Sequence, residues 1–148
     1  MKIYTNQARS KEIEKLEGFF LHHGVNPFNY LPSEAIELQI QRIIAKTDIC
    51  LVAVGDKKML GIAIYRQLGD LPTIFRNYIE QSNCIYLAEI VVHREFNGRG
   101  ISTNLIKKIV SAINTVMEKM QSENRKAVMI TAPVIRRDLS QMLRQHIP

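Results

Sequence analysis

Two neighbouring stretches of the chain have the residue types of a reactive site. In LAEIVV (87–92), Glu89 is the single carboxylate of an otherwise apolar run. HREFNGRGIST (93–103) follows directly, with Gly98 and Gly100 on either side of Arg99 and just ahead of Ser102 and Thr103. A carboxylate buried among apolar side chains has its pKa raised toward the range of a useful general base. Glycines just before a helix leave the first main-chain N–H groups uncovered at the positive end of the helix dipole. Lacking Cβ atoms, they let a phosphate come close to those groups. Arg99 adds a cation, and Ser102 and Thr103 add hydroxyl donors. The same glycines also serve a simple bend, so the surrounding elements must decide between the two.

Those elements are legible from periodicity. MKIYTN reads as a short first strand. Ile13, Leu16 and Phe20 fall at helical spacing behind Ser10, which is expected to cap that helix. Gly24 and VNPFNY break the pattern. LPSEAIELQIQRIIA restarts it, with Pro32 near the first turn and Ile36, Ile40 and Ile43 on one face. ICLVAV and MLGIAIY, separated by GDKK, read as a β-hairpin. GDLPTIFRNYIEQSN is either a short helix or a long loop. CIYLAEIVV shows little alternation and is expected to be a central strand covered on both faces. From Gly100 to about Gln121 runs the longest helix, striped by Ile101, Leu105, Ile109, Ile113, Val116 and Met120. AVMITAPV is a further strand and RDLSQMLRQH a last helix. This order specifies an α/β domain with a mixed sheet, and nothing divides residues 1–148 into more than one domain.

Three phosphate-binding turns compete for GRGISTN. A dinucleotide fingerprint needs a third glycine where Thr103 stands, and it does not tolerate the five residues between strand and Gly98. A Walker A loop needs a Lys followed by Ser or Thr, which is missing. The third candidate fits: VVHREFNGRGISTNLI resembles the acyl-CoA pyrophosphate loop of the GCN5-related N-acetyltransferase (GNAT) superfamily. That family's pattern falls on Asn97-Gly98-Arg99-Gly100-Ile101-Ser102, with Asn in place of Gln or Arg first and Ser in place of Gly or Ala last. The element order follows the family over nearly the whole chain.

The resemblance implies a mixed, mainly antiparallel central sheet flanked by helices, with the last two family strands having no counterpart in the sequence. It also implies acetyl-CoA as co-substrate and an amine as acceptor. The main chain of Ile90, Val91 and Val92 would pair with the pantetheine arm. The N–H groups of residues 98–103 would hold the pyrophosphate, with Asn97 opening the loop.

Acetyl transfer needs a neutral attacking amine, which a general base provides, and the departing thiolate benefits from a proton donor. Glu89 is the candidate base. Regular pleating turns it to the opposite face from Ala88 and Tyr86, the positions from which the family's bases commonly act, and a β-bulge would realign it. Otherwise Glu89 is a paired structural charge. Tyr86 is a candidate donor or acceptor-site residue, with core packing as its other role. The family's donor tyrosine has no counterpart in VIRRDLSQMLRQHIP (134–148). The family also builds its acceptor site partly from the loop between the first two helices, here HHGVNPFNYLP, so His22, His23, Phe28 and Tyr30 are candidate acceptor residues or else hold the loop together.

Composition sets the outer bounds. Apolar residues make up 46% of 148, enough for an ordinary core, and no 18-residue apolar run suggests a membrane span. Two cysteines in apolar runs, Cys50 and Cys84, argue against a disulfide scaffold and for the cytoplasm. No spacing suggests a metal site. The net charge is +6, and it is concentrated in the second half, where eleven basic residues face six acidic ones. That suits a phosphorylated cofactor. Nucleic acid is not the expected partner, because no recognition motif accompanies the charge. A homodimer is plausible if a partner completes the sheet. A CoA-binding regulatory module without turnover is the competing function.

Overall fold

The structure, a computed structural model, describes residues 1–24, 31–66, 84–123, 128–131 and 144. Five strands form one sheet in sequence order: β1 (Ile3–Gln7), β2 (Ile49–Gly55), β3 (Lys58–Arg66), β4 (Cys84–Val92) and β5 (Val128–Thr131). The first four are antiparallel neighbours, and β5 lies parallel to β4. Helices α1 (Ser10–Ile13), α2 (Leu16–Phe19) and α3 (Ser33–Ile44) cover one face, and the long α4 (Ile101–Ser122) covers the other. The mixed, mainly antiparallel sheet flanked by helices is therefore as expected.

The β2–β3 hairpin closes through Asp56 and Lys57, both with positive φ (48° and 65°). Two consecutive left-handed residues are what a type I′ turn requires, and its twist matches the strands it joins. The first helix departs from expectation. Ser10 is already helical, and the extended residue before it, Arg9 (φ −100°, ψ 171°), occupies the cap. The Glu12 carboxylate reaches back to the Arg9 N–H at 2.9 Å and takes over the capping role expected of Ser10. The run is also not one continuous helix. It breaks after Ile13, resumes at Leu16, and widens into a π-helical turn over Phe20–Gly24. Such turns displace side chains from regular spacing and recur at functional sites.

Each face of the sheet has its own core. Leu16, Phe20, Ile36, Val52, Ile62 and Val91 are among the buried residues on the α1–α3 side. Leu60, Ala63, Leu87, Ile101, Leu105 and Ile109 pack on the α4 side. A lone charged pair is embedded in the described core. Asp48, fully buried, accepts hydrogen bonds from Arg66 Nε and Gln39 Nε2. Burying the ions is tolerable because each has a partner.

Gly61 sets how closely α4 can lie on β3. A Cβ there would stand 2.7 Å from Ile101 Cγ2 and 3.2 Å from Leu105 Cδ1. Gly61→Ala is therefore expected to cost about 1–3 kcal/mol, the usual penalty for overpacking. Urea unfolding measures it.

Three expectations fall wholly or partly outside the described residues. They are the element over 69–83, the strand over 127–134, described only at Val128–Thr131, and the helix over 137–146.

Candidate active site

The site is built on the last half of β4 and the turn that follows it. Pairing with β3 is regular from Val92↔Gly61 to Glu89↔Ile64, then slips so that Leu87 faces Tyr65 and Tyr86 faces Arg66. Ala88 is the extra residue, so a β-bulge sits in this strand. Its effect on direction follows from the packing. Val91 joins the α1–α3 core, while Val92 and Ile90 pack toward α4, as alternation requires. Past the bulge the phase reverses: Ala88 and Tyr86 join the α1–α3 side, and Leu87 and Ile85 turn to α4. Glu89 shares the register position of Ile64, which also belongs to the α1–α3 core. Glu89 and Tyr86 are thereby on one face. The realignment comes from the strand segment before the bulge changing phase rather than from Glu89 moving.

Glu89 is half-buried, as is Tyr86. The Arg66 guanidinium lies 5.3 Å from the Tyr86 ring centroid, a cation over an aromatic face. The described β4–β5 pairing runs only from Cys84↔Val128 to Leu87↔Thr131, so it ends where the bulge begins. Ile90, Val91 and Val92 follow that point and are held on their other edge by β3.

After Val92 the chain makes a short 3-10 turn, Arg94–Phe96, with the His93 ring accepting a hydrogen bond from the Glu95 N–H. Asn97 is extended, and Gly98 and Gly100 take φ of +75° and +73°. Only glycine adopts such values without strain. The Gly100 carbonyl accepts the Asn104 N–H at 3.0 Å, so Gly100 caps α4, and the N–H groups of Ile101, Ser102 and Thr103 form its unpaired first turn. Residues 97–100 are exposed, Ser102 and Thr103 half-buried. Ile101 is buried to 1% exposure, so its side chain anchors the helix while its main chain faces the loop. No acidic residue stands in this first turn to offset the dipole. Arg99 sits over Phe96 at 5.0 Å. These features suit an anion with several oxygens.

His23 lies on the π-helical turn, between Phe19 of α2 and the β4–α4 turn. Its ring stacks on His93 at 3.9 Å, and its Nδ1 accepts the Arg94 N–H at 3.3 Å. Burial, helped by the neighbouring His93, His22 and Arg94, pushes its pKa below the usual 6.5, with Glu95 opposing. His22 is exposed, its Nδ1 2.6 Å from the Gly18 carbonyl oxygen. Phe28 and Tyr30 lie outside the described residues. Cys50 is an inert core thiol, pushed up to about 12 by burial. His93, Phe96 and Arg66 are participants that sequence reasoning missed. The first two stand inside the glycine-turn stretch, and Arg66 is the single cation closing an apolar strand.

Among the described residues no cluster of three or more His, Cys, Asp or Glu is placed to hold a metal, and no helix is long and apolar enough to cross a membrane. Comparison with curated protein sequences finds no match. Solved structures share the fold. Aminoglycoside N-acetyltransferase AAC(6')-Iy, in complex with the bisubstrate analogue CoA-S-monomethyl-acetylneamine, aligns with TM-score 0.60 at 18% identity, over 98% of this chain and 88% of that one. A GNAT family acetyltransferase from Brucella melitensis, in complex with acetyl-CoA, aligns with TM-score 0.59 at 17% identity, over 77% and 70%. The ribosomal-protein-alanine N-acetyltransferase from Brucella melitensis biovar Abortus 2308 aligns with TM-score 0.53 at 16% identity, over 97% and 90%. A sequence model described as the acetyltransferase (GNAT) family matches residues 13–130, most of the described sheet and the loop included. The chain belongs to the GNAT acetyltransferase family.

Proposed function

We propose that the protein transfers the acetyl group of acetyl-CoA to a primary amine by direct attack in a ternary complex. The observation that carries this reading is the register slip in β4. It puts Glu89 on the face of Tyr86, in the strand that leads into the turn of Gly98 and Gly100.

In this reading the N–H groups from Gly98 to Thr103 hold the pyrophosphate, and Arg99 adds charge complementarity. The main chain of Ile90, Val91 and Val92 aligns the pantetheine arm. Glu89, acting directly or through a water, takes a proton from the incoming ammonium. The freed amine nitrogen forms a bond to the thioester carbonyl carbon, the C–S bond breaks, and the nitrogen's surplus proton passes to the departing thiolate, giving the amide and CoA-SH. Tyr86 lines the acceptor side, held by Arg66, whose own charge is balanced by buried Asp48. The acceptor is an amine of a small molecule or a protein.

One sequence observation favours a second reading, a CoA-binding regulatory module: residues 134–148 contain no tyrosine to serve as proton donor. A single experiment separates the two. Acetyl-CoA is titrated calorimetrically, and thiol release is then followed with aminoglycosides, polyamines and peptides with free N-termini. The enzyme is expected to release CoA above background with at least one amine class. Binding without release across all of them would establish the module instead.

A further inference from the structure

The turn leading into the loop is braced by groups from outside it. A stack of rings runs from the helical layer to the loop. Phe19 of α2 contacts His23 at 4.8 Å, and His23 lies on His93 at 3.9 Å with planes 31° apart. His93 meets Phe96 edge-on at 5.1 Å, and Arg99 closes the series over Phe96. The two imidazoles at its centre also hold main chain. His23 Nδ1 accepts the Arg94 N–H and His93 Nδ1 accepts the Glu95 N–H, both at 3.3 Å. A ring nitrogen accepts only when it carries no proton, so both rings bear their hydrogen on Nε2 and both are neutral in this arrangement. The His93 N–H is itself tied to the Leu60 carbonyl on β3 at 2.9 Å.

We propose that His93 is a positioning residue for the acyl-CoA loop: together with His23 it clamps the 94–96 turn, and the clamp loosens when the His23 ring takes a proton. This rests on the loop being the acyl-CoA seat, and adds that a proton controls how well the seat is formed. Charging His23 removes an acceptor from the turn and sets a cation against its stacked neighbour.

The groups facing His23, among the described residues, favour its neutral state. His22 approaches from the π-helical turn at 6.2 Å, Arg94 and Glu95 from the 3-10 turn, and Arg99 stands beyond Phe96, while α2 contributes uncharged Phe19. Glu95 alone opposes. The depressed pKa of His23 has the matching sign. A base whose folded-state pKa lies below its unfolded value gives stability that is whole above the unfolded value. That stability is lost as pH falls from 6.5 to the folded-state midpoint.

Two measurements test the clamp. Ring-nitrogen NMR of the free protein at about pH 8 should show both rings as Nε2–H tautomers, with the midpoint for charging His23 below 6.5. An Nδ1–H tautomer on either ring overturns the proposal.

Affinity for dephospho-CoA, which lacks the 3′-phosphate that would itself titrate in this window, is then measured calorimetrically at two pH values. The wild type should bind about tenfold more weakly one unit below the His23 midpoint than at about pH 8, because only a tenth of the molecules keep the competent form. His23→Phe keeps a ring in the stack and takes no proton. His93→Asn keeps an acceptor for the Glu95 N–H and leaves His23 able to take a proton. Both should bind within about threefold of wild type at the higher pH, the scale of one lost neutral hydrogen bond, but only His23→Phe should lose the pH dependence. An acid-induced loss of the same size in wild type and His23→Phe, or its disappearance in His93→Asn, overturns the clamp. Wild-type binding that ignores pH does the same while leaving the seat intact, and failure of the wild type to bind at any pH removes the seat and the clamp together.

Discussion

Gly100→Val is expected to abolish detectable CoA binding while leaving a folded protein. The residue sits at φ +73°, where a side chain clashes with its own backbone at a cost of about 1–2 kcal/mol, and more for a β-branched one. The clash is local, since a Cβ at this position would meet nothing within 4 Å. The chain can relieve it by rotating Gly100 out of the left-handed region, and the core is not involved. That rotation re-aims the N–H groups that follow, and the valine stands in the exposed space in front of them. Losing two charge-assisted hydrogen bonds to the diphosphate weakens binding on the order of 100-fold or more. Calorimetry with CoA reads the loss, and thermal unfolding shows whether the fold survives. Unchanged affinity in a folded variant would move the cofactor site elsewhere.

Glu89→Gln should lower kcat by about 10²- to 10⁴-fold, the usual worth of a positioned general base. The amide has nearly the shape of the carboxylate, so the bulge and its packing are retained. CoA affinity should stay at the wild-type value, because the proposed anion seat lies beyond Val92 on the far side of the 3-10 turn. The pH–rate profile carries the sharper signature. The wild-type rate should rise as a group on the free enzyme loses its proton, and that limb should be missing from the variant. A kcat within threefold of wild type would reduce Glu89 to a structural charge and put the base elsewhere.

Local chemistry made some elements readable in advance. The hairpin was visible because Asp56 and Lys57 separate two apolar runs, and α4 because Ile101, Leu105 and Ile109 recur along one face. The glycine turn was readable because glycine takes left-handed positions, here Gly98 and Gly100, at no steric cost. What escaped was non-local. Ile13, Leu16 and Phe20 keep helical spacing straight through the break and the π-helical turn, so periodicity alone could not reveal either. The Ser10 cap was displaced by a carboxylate two residues further on. A bulge in β4 was foreseeable as a possibility, but its place at Ala88 depends on pairing with Ile64 and Tyr65, which β4 does not encode by itself. The His23–His93 stack escaped for the same reason: His23 and the Arg94 N–H it accepts are 71 residues apart.

The inserted residue at Ala88 also divides the strand into two parts with separate obligations. The stretch from Ile90 to Val92 is fixed by its neighbours on β3 and by the helix beneath it. Tyr86, half-buried on the segment phased independently beyond the bulge, can be exchanged without shifting that register. On the function proposed above, this division lets the acceptor side diversify while the donor side stays constant.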